Sequence, residues 1–233
     1  MSNNIQTELK WLGNKEYASR LGKYFKTGKG EYAEGDKFLG IRVPALRKIA
    51  KKHRNISIDE ASEFVKSQFH EERLFSLLML VELFKKADDK DKKRIYTVYL
   101  SNTRFINNWD LVDVSAGHIV GAYLLTRDKK PIYVLARSEN IWERRISIMS
   151  TSYYINNNNF TDTLNIAEML LGDEEDLIHK AVGWMLREIG KRDCELEERF
   201  LGKYYKSMPR TMLRYAIEKF PEEKRKGYLK GEL

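Results

Sequence analysis

Trp109 and Asp113 stand four residues apart in the segment NNWDLVDVSAG, a spacing that puts an indole and a carboxylate on one face of a helix. Asp110 lies three residues before Asp113, near the same edge. Lys180 and Trp184 repeat the four-residue spacing in LIHKAVGWML and pair a cation with a second indole. Aromatic faces, a carboxylate and cations gathered on one surface suit a reaction centre that becomes electron-poor while bound to a phosphate backbone. Each part also has a plain structural alternative. A tryptophan at helical spacing is commonly core, and acids and bases on neighbouring helices commonly pair with each other.

Repetition is what would bring these residues together. Five helix-like segments, EERLFSLLML, NNWDLVDVSAG, IWERRISIMS, LIHKAVGWML and PRTMLRYAIEK, recur about every 35 residues. Aligned, they share a column of Arg73, Asp110, Arg145, Lys180 and Arg214. This period predicts an all-α, HEAT-like α-solenoid of antiparallel helix pairs with a concave basic face. Asp110, Arg145 and Lys180 would then come from successive repeats whose helices lie about 8–10 Å apart. Residues 1–233 are expected to form one such domain.

The remaining segments fit that frame. Pro44, Pro131, Pro209 and Pro221 each open or separate an apolar-periodic stretch, as first-turn prolines do. Leu74, Leu77, Leu78, Val81 and Phe84 form one helical stripe, and Ile178, Ala181, Val182, Met185, Leu186 and Ile189 another. RIYTVYL has strand-like composition but no partner strand, so it is assigned to a helix. Residues 26–40, KTGKGEYAEGDKFLG, carry four glycines and interrupt the helices. They read as a connector after the N-terminal helices. The alternative is that their amides and lysines, with the helix start at Pro44, touch phosphate.

Composition narrows the partners. Lys and Arg number 42 against 34 Asp and Glu, a net charge of +8, which favours an anionic partner such as nucleic acid. Cys194 is the single cysteine, so no intrachain disulfide can form and a reducing compartment is expected. The start of the chain lacks the apolar stretch of a signal peptide, and no run approaches the ~20 apolar residues that cross a bilayer. These readings predict a soluble, cytoplasmic protein. His53, His70, His118 and His179 show no metal-ligand spacing, VSAGH around Ser115 is not a nucleophile elbow, and the Gly-rich segment is not a dinucleotide or Walker loop. Neither metal nor cofactor is expected. Trp11 and Trp142 read as core or helix-junction residues.

NNWDLVD, NIWERR and KAVGWMLRE resemble motifs of the bacterial alkylpurine DNA glycosylase family, AlkD, and the segments at 24–52 and 70–82 are similar to its N-terminal half. The resemblance spans roughly residues 17–220. It implies a HEAT-repeat solenoid acting as a monomer on double-stranded DNA containing alkylated purines, removing cationic N3- and N7-alkylpurines by hydrolysis without base flipping. It also implies that Asp113 is the catalytic aspartate, that Trp109 and Trp184 pack against the lesion's sugar, and that Arg145 contacts DNA. Lys180 and Arg187 are further phosphate-contact candidates. Members often carry two tryptophans before the aspartate; the first is Asn108 here, which puts the fit around the lesion in question. Two other classes remain open: a non-catalytic solenoid that binds damaged or branched DNA, and a protein-interaction scaffold.

Overall fold

The computed structural model describes residues 2–233, with side chains from residue 4 onward. The chain is all-α, as expected; among the described residues the only β feature is an isolated bridge between Lys37 and Phe69. It divides into two compact units, the first running to Ile119 and the second from Val120 to Leu233.

The first unit holds α1 (Ser2–Trp11), α2 (Lys15–Tyr24), α3 (Val43–Lys52), α4 (Ile58–Glu63), α5 (His70–Lys86), α6 (Asp89–Leu100) and α7 (Trp109–Asp113). A π-helical turn, Gly117–Gly121, contains the boundary and runs into α8 (Ala122–Leu124). The second unit continues with α9 (Lys130–Leu135), α10 (Ile141–Ser150), α11 (Ser152–Asn156), α12 (Thr161–Met169), α13 (Asp176–Gly190), α14 (Cys194–Tyr204), α15 (Arg210–Ala216) and α16 (Glu222–Lys230). RIYTVYL is indeed helical, as the second half of α6. Trp142 is core, whereas Trp11 is 84% exposed and belongs to no core.

Recurring hydrogen bonds make the repeat physical. Ser76 Oγ donates to the Ala61 carbonyl and ties α5 to α4; Ser147 Oγ donates to the Ile132 carbonyl and ties α10 to α9, each at 2.6 Å. Four residues into α5 and α10, an arginine reaches back around the helix start: Arg73 to the Ser67 carbonyl and Arg144 to the Ser138 carbonyl, both at 2.9 Å. His179 meets the Asp173 carbonyl in the same way at the start of α13. The structural column is therefore Arg73, Arg144 and His179. The sequence alignment ran one residue late at Arg145 and Lys180, because adjacent charges in WERR and IHKA allow either register.

Helix α5 opens with four consecutive ionisable residues, His70, Glu71, Glu72 and Arg73, at 2%, 2%, 1% and 3% exposure. Burial of so much charge is tolerable only when each group is paired or hydrogen-bonded. The Gly-rich segment supplies many of the partners. Glu71 accepts backbone N–H bonds from Leu39, Gly40 and Ile41 at 2.8, 2.8 and 3.1 Å. Gly40 has φ +82°, and a Cβ there would lie 2.1 Å from the Asn14 carbonyl oxygen, so only glycine fits. The Gly28 and Gly30 amides are taken by Glu31 and Glu34, so these backbone donors are spent within the loop.

Candidate active site

Trp109 opens α7, and Asn108 caps it. The Asn108 side-chain oxygen accepts the Trp109 backbone N–H at 2.9 Å, and the residue is wholly buried. The departure from a double tryptophan therefore faces the interior, where it serves the helix start. The Trp109 indole stacks on Phe25 (5.5 Å between centroids, 27° between planes) and meets the edge of Tyr24 at 6.2 Å. Its N–H donates to the Tyr32 hydroxyl. Phe25 in turn stacks on Phe38 at 5.3 Å. Residues from the end of α2 and from the Gly-rich segment thus fix the half-buried ring.

An ionic cluster lies against this stack. His70 Nε2 bonds Asp110 Oδ2 at 2.8 Å, and its Nδ1 bonds Asp36 Oδ2 at 3.3 Å. Arg73 grips both oxygens of Asp36, at 2.6 and 2.8 Å. Burial opposes charge on His70, but the hydrogen bonds to Asp110 and Asp36 prevail and push its pKa up to about 9. Burial likewise opposes ionisation of Asp36, yet the His70 hydrogen bond and the Arg73 guanidinium hold its carboxyl below the usual carboxylate range. The imidazolium also lies 4.8 Å from the Phe38 ring and 5.0 Å from that of Phe25, within cation–π reach. Asp110, an acid in the first turn of α7, is well placed for its helix and is held by His70. A cavity of about 580 Å³ opens here, lined among others by Tyr24, Phe25, Phe38, His70, Trp109 and Asp110.

Asp113 is the last residue of α7 and is half-buried. Burial first, and then the Asp113 carboxylate, raise the Tyr99 phenol, whose hydroxyl meets Ser115 Oγ at 3.0 Å. Ser115 is fully buried and bonds the Leu111 carbonyl, so it is structural. An acid at the C-terminal end of a helix is disfavoured by the exposed carbonyls, so helix stability does not account for Asp113.

In the second unit the expected cations are engaged within the protein. Arg145 is 4% exposed and donates to the Leu177 carbonyl, which ties α10 to α13; it is not a surface side chain offered to phosphate. Lys180 pairs with Asp176 at 2.7 Å, and Arg187 pairs with Glu218. Trp184 is half-buried, and its N–H donates to Glu188 at 3.2 Å. Gly183, beside it, lets α15 approach: a Cβ would lie 2.4 Å from the Met212 carbonyl oxygen.

The sequence reading missed Asp36, Phe25, Tyr32 and Phe38, named His70 only as a scattered histidine, and had Arg73 as a member of the repeat column without its partners. One signal was present, the HEER run at the head of an otherwise apolar helix. Among the described residues, no group of three or more His, Cys, Asp or Glu side chains is arranged to hold a metal ion, and no helix is long and apolar enough to cross a membrane.

A solved structure described as a predicted DNA alkylation repair enzyme from Enterococcus faecalis matches with a TM-score of 0.69 at 15% identity, over 90% of this chain and 97% of that one. AlkD2 from Streptococcus mutans matches with a TM-score of 0.54 at 19% identity, over 89% of this chain and 99% of its own. At these identities the likeness establishes the fold, of the HEAT-repeat helical type. A search of curated proteins gives no significant sequence match. The family model described as DNA alkylation repair enzyme covers residues 5–220, and the chain belongs to that family.

Proposed function

We propose that this protein is a DNA glycosylase that hydrolyses the N-glycosidic bond of cationic N3- and N7-alkylpurines in duplex DNA, without extruding the base. It works as a cytoplasmic monomer with no cofactor. The observation that carries the reading is the pairing of Trp109 and Asp113 on one five-residue helix, in a chain of the DNA alkylation repair family, with the indole held from three sides.

An alkylated purine already carries positive charge, so it leaves as a neutral base and needs no protonation. The glycosidic bond breaks toward an oxocarbenium-like sugar. Water adds to the anomeric carbon and loses a proton. Asp113 supplies the fixed negative charge that stabilises the sugar and orients that water, and it can accept the proton. The Trp109 face offers cation–π attraction of roughly 0.5–2 kcal/mol. Trp184 is assigned the same kind of contact on the strength of the family resemblance. Lys180 and Arg187 reach phosphate by exchanging their carboxylate partners, and Arg145 acts as a positioning residue through α13.

Base release from methylated duplex DNA tests the reading. Wild type is expected to release 7-methylguanine or 3-methyladenine and to leave uracil in place. Asp113→Asn should bind the same duplex but lose roughly 10²-fold or more in rate. Uracil excised as readily as methylated purine, or an unimpaired Asp113→Asn, overturns the proposal.

A further inference from the structure

A second feature of the first unit is absorbed neither by the stack around Trp109 nor by the cluster beneath it. A cavity of about 510 Å³ lies between the C-terminal half of α3, the last turns of α5 and the chain after α7. Besides Lys85, four exposed cations line it: Arg47 and Lys51, one turn apart on α3, Arg54 just beyond that helix, and Lys86 in the last turn of α5. None of the four has a hydrogen-bond or ion-pair partner among the described residues. The single acid lining the cavity, Glu82, is already paired with Lys85 at 2.6 Å. The floor is apolar, with Leu78, Met79 and Val114. His118 on the rim is held below the usual histidine range, first by burial and then by the Lys85 ammonium.

An excess of unpaired cations over an apolar floor is complementary to a chain of phosphates joined by sugars. A free anion would leave the floor unused, and an apolar partner would leave the cations unused. Arg47 and Lys51 lie four residues apart on α3, about 6 Å along the helix axis, or about two base steps of a strand, and Arg54 continues the row beyond the helix end. Val114, the residue after Asp113 in sequence, lines the cavity. We propose that this cavity is a backbone-binding site for a DNA strand, with phosphates on Arg47, Lys51, Arg54 and Lys86 and sugar edges on Leu78 and Val114, which sets the strand's register beside Asp113. This rests on the glycosylase reading above. It places the main phosphate contacts on residues other than Arg145, Lys180 and Arg187.

The test is fluorescence anisotropy on an undamaged and a methylated duplex between about 50 and 200 mM salt. Replacing all four cations by alanine should lower the slope of log K against log salt by about 3, near 0.9 per phosphate contact, and weaken binding at least about tenfold. A control lacking the exposed Lys66, Lys90, Lys93 and Lys206 should lose less than about 1 in slope. Circular dichroism confirms folding. If the fourfold variant is unfolded, Lys51→Gln with Lys86→Gln carries the test, with an expected slope change of about 2. Equal losses in variant and control, or a wild type without salt-dependent binding, overturn the site. Base release separates the two readings. Wild type that frees no base, with the slope lowered in the variant and not in the control, sinks the glycosylase and supports the site. Normal release with an unchanged slope in the variant sinks the site alone.

Discussion

Raising the pH from 6 to 9 should destabilise this protein, and His70 is the reason. In the unfolded chain its imidazole titrates near 6.5; in the folded protein the bonds to Asp110 and Asp36 push it up to about 9. Between those values the folded state holds the proton more tightly than the unfolded one. By linkage, stability falls as pH rises: the contribution is complete below pH 6.5 and gone above 9. The gap of about 2.5 pH units, at about 1.4 kcal/mol each, gives about 3 kcal/mol in all, of which about 2 is lost between pH 6 and 8. Burial to 2% exposure means solvent screening does not discount the figure. Urea titrations followed by circular dichroism at pH 6, 7, 8 and 9 measure it, beside His70→Gln. At pH 6 the variant is less stable by about 3–5 kcal/mol, because Asp110 loses its cation while staying in the cluster, and the gap narrows toward pH 9. Its decisive property is slope: above pH 6.5 its stability should fall by about 3 kcal/mol less than wild type's. Parallel curves for the two proteins, or wild-type stability that rises over this range, would refute the argument that a shared proton holds Asp36, His70 and Asp110 together.

Two further outcomes follow from groups in the second unit. The Glu197 carboxyl, 1% exposed, is pushed up to about 8 by burial and then by Glu198, against 4.5 in the unfolded chain; it too favours the folded state less as pH rises from 4.5 to 8. Glu197→Gln should therefore raise stability above pH 8, by up to roughly 5 kcal/mol, with little change at pH 5; an unaltered urea midpoint at pH 9 contradicts this. Gly183→Ala drives a methyl toward the Met212 carbonyl oxygen and to 2.6 Å from Tyr215 Cβ, so it should cost about 1–3 kcal/mol by forcing α13 from α15. A melting temperature equal to wild type's would show that the two helices separate without penalty.

The fold was legible because apolar periodicity and proline placement are local signals. The stripes at Leu74–Phe84 and Ile178–Ile189 are the buried faces of α5 and α13, and the four prolines lie at the first residues or caps of α3, α9, α15 and α16. Register was less legible. A one-residue ambiguity between neighbouring charges cannot be resolved by period alone, and only the carbonyl contacts of Arg73, Arg144 and His179 decide it. The surroundings of Trp109 were hidden for another reason. Tyr32, Asp36 and Phe38 sit in a segment whose glycines announce irregular backbone and nothing about direction, and the partners of Tyr32 and Asp36 lie more than thirty residues away in sequence. Charge alone does not tell burial either: the HEER run is buried, while Arg47 and Lys51 on the amphipathic α3 and Arg54 just beyond it remain exposed and unpaired.

The departures from regularity converge on one place. Elsewhere the repeated helices are long enough to bury a stripe, but α7 has only five residues and gives way to the π-helical turn Gly117–Gly121. Such turns store strain and collect at functional sites. A five-residue helix cannot hold a tryptophan by its own packing, so the ring depends on what lies around it. Phe25, Tyr24 and Tyr32 supply that support, and the buried charges at the head of α5 hold Asp110 on the same helix from below. Charges in such numbers are poor value as stabilisers, since apolar residues of similar size fill an interior at least as well. They are justified where orientation matters more than stability. On this argument the Gly-rich segment is a functional part of the protein: by carrying Tyr32, Asp36 and Phe38 to α7, it converts a weak helix into a fixed platform on which Trp109 and Asp113 keep their spacing.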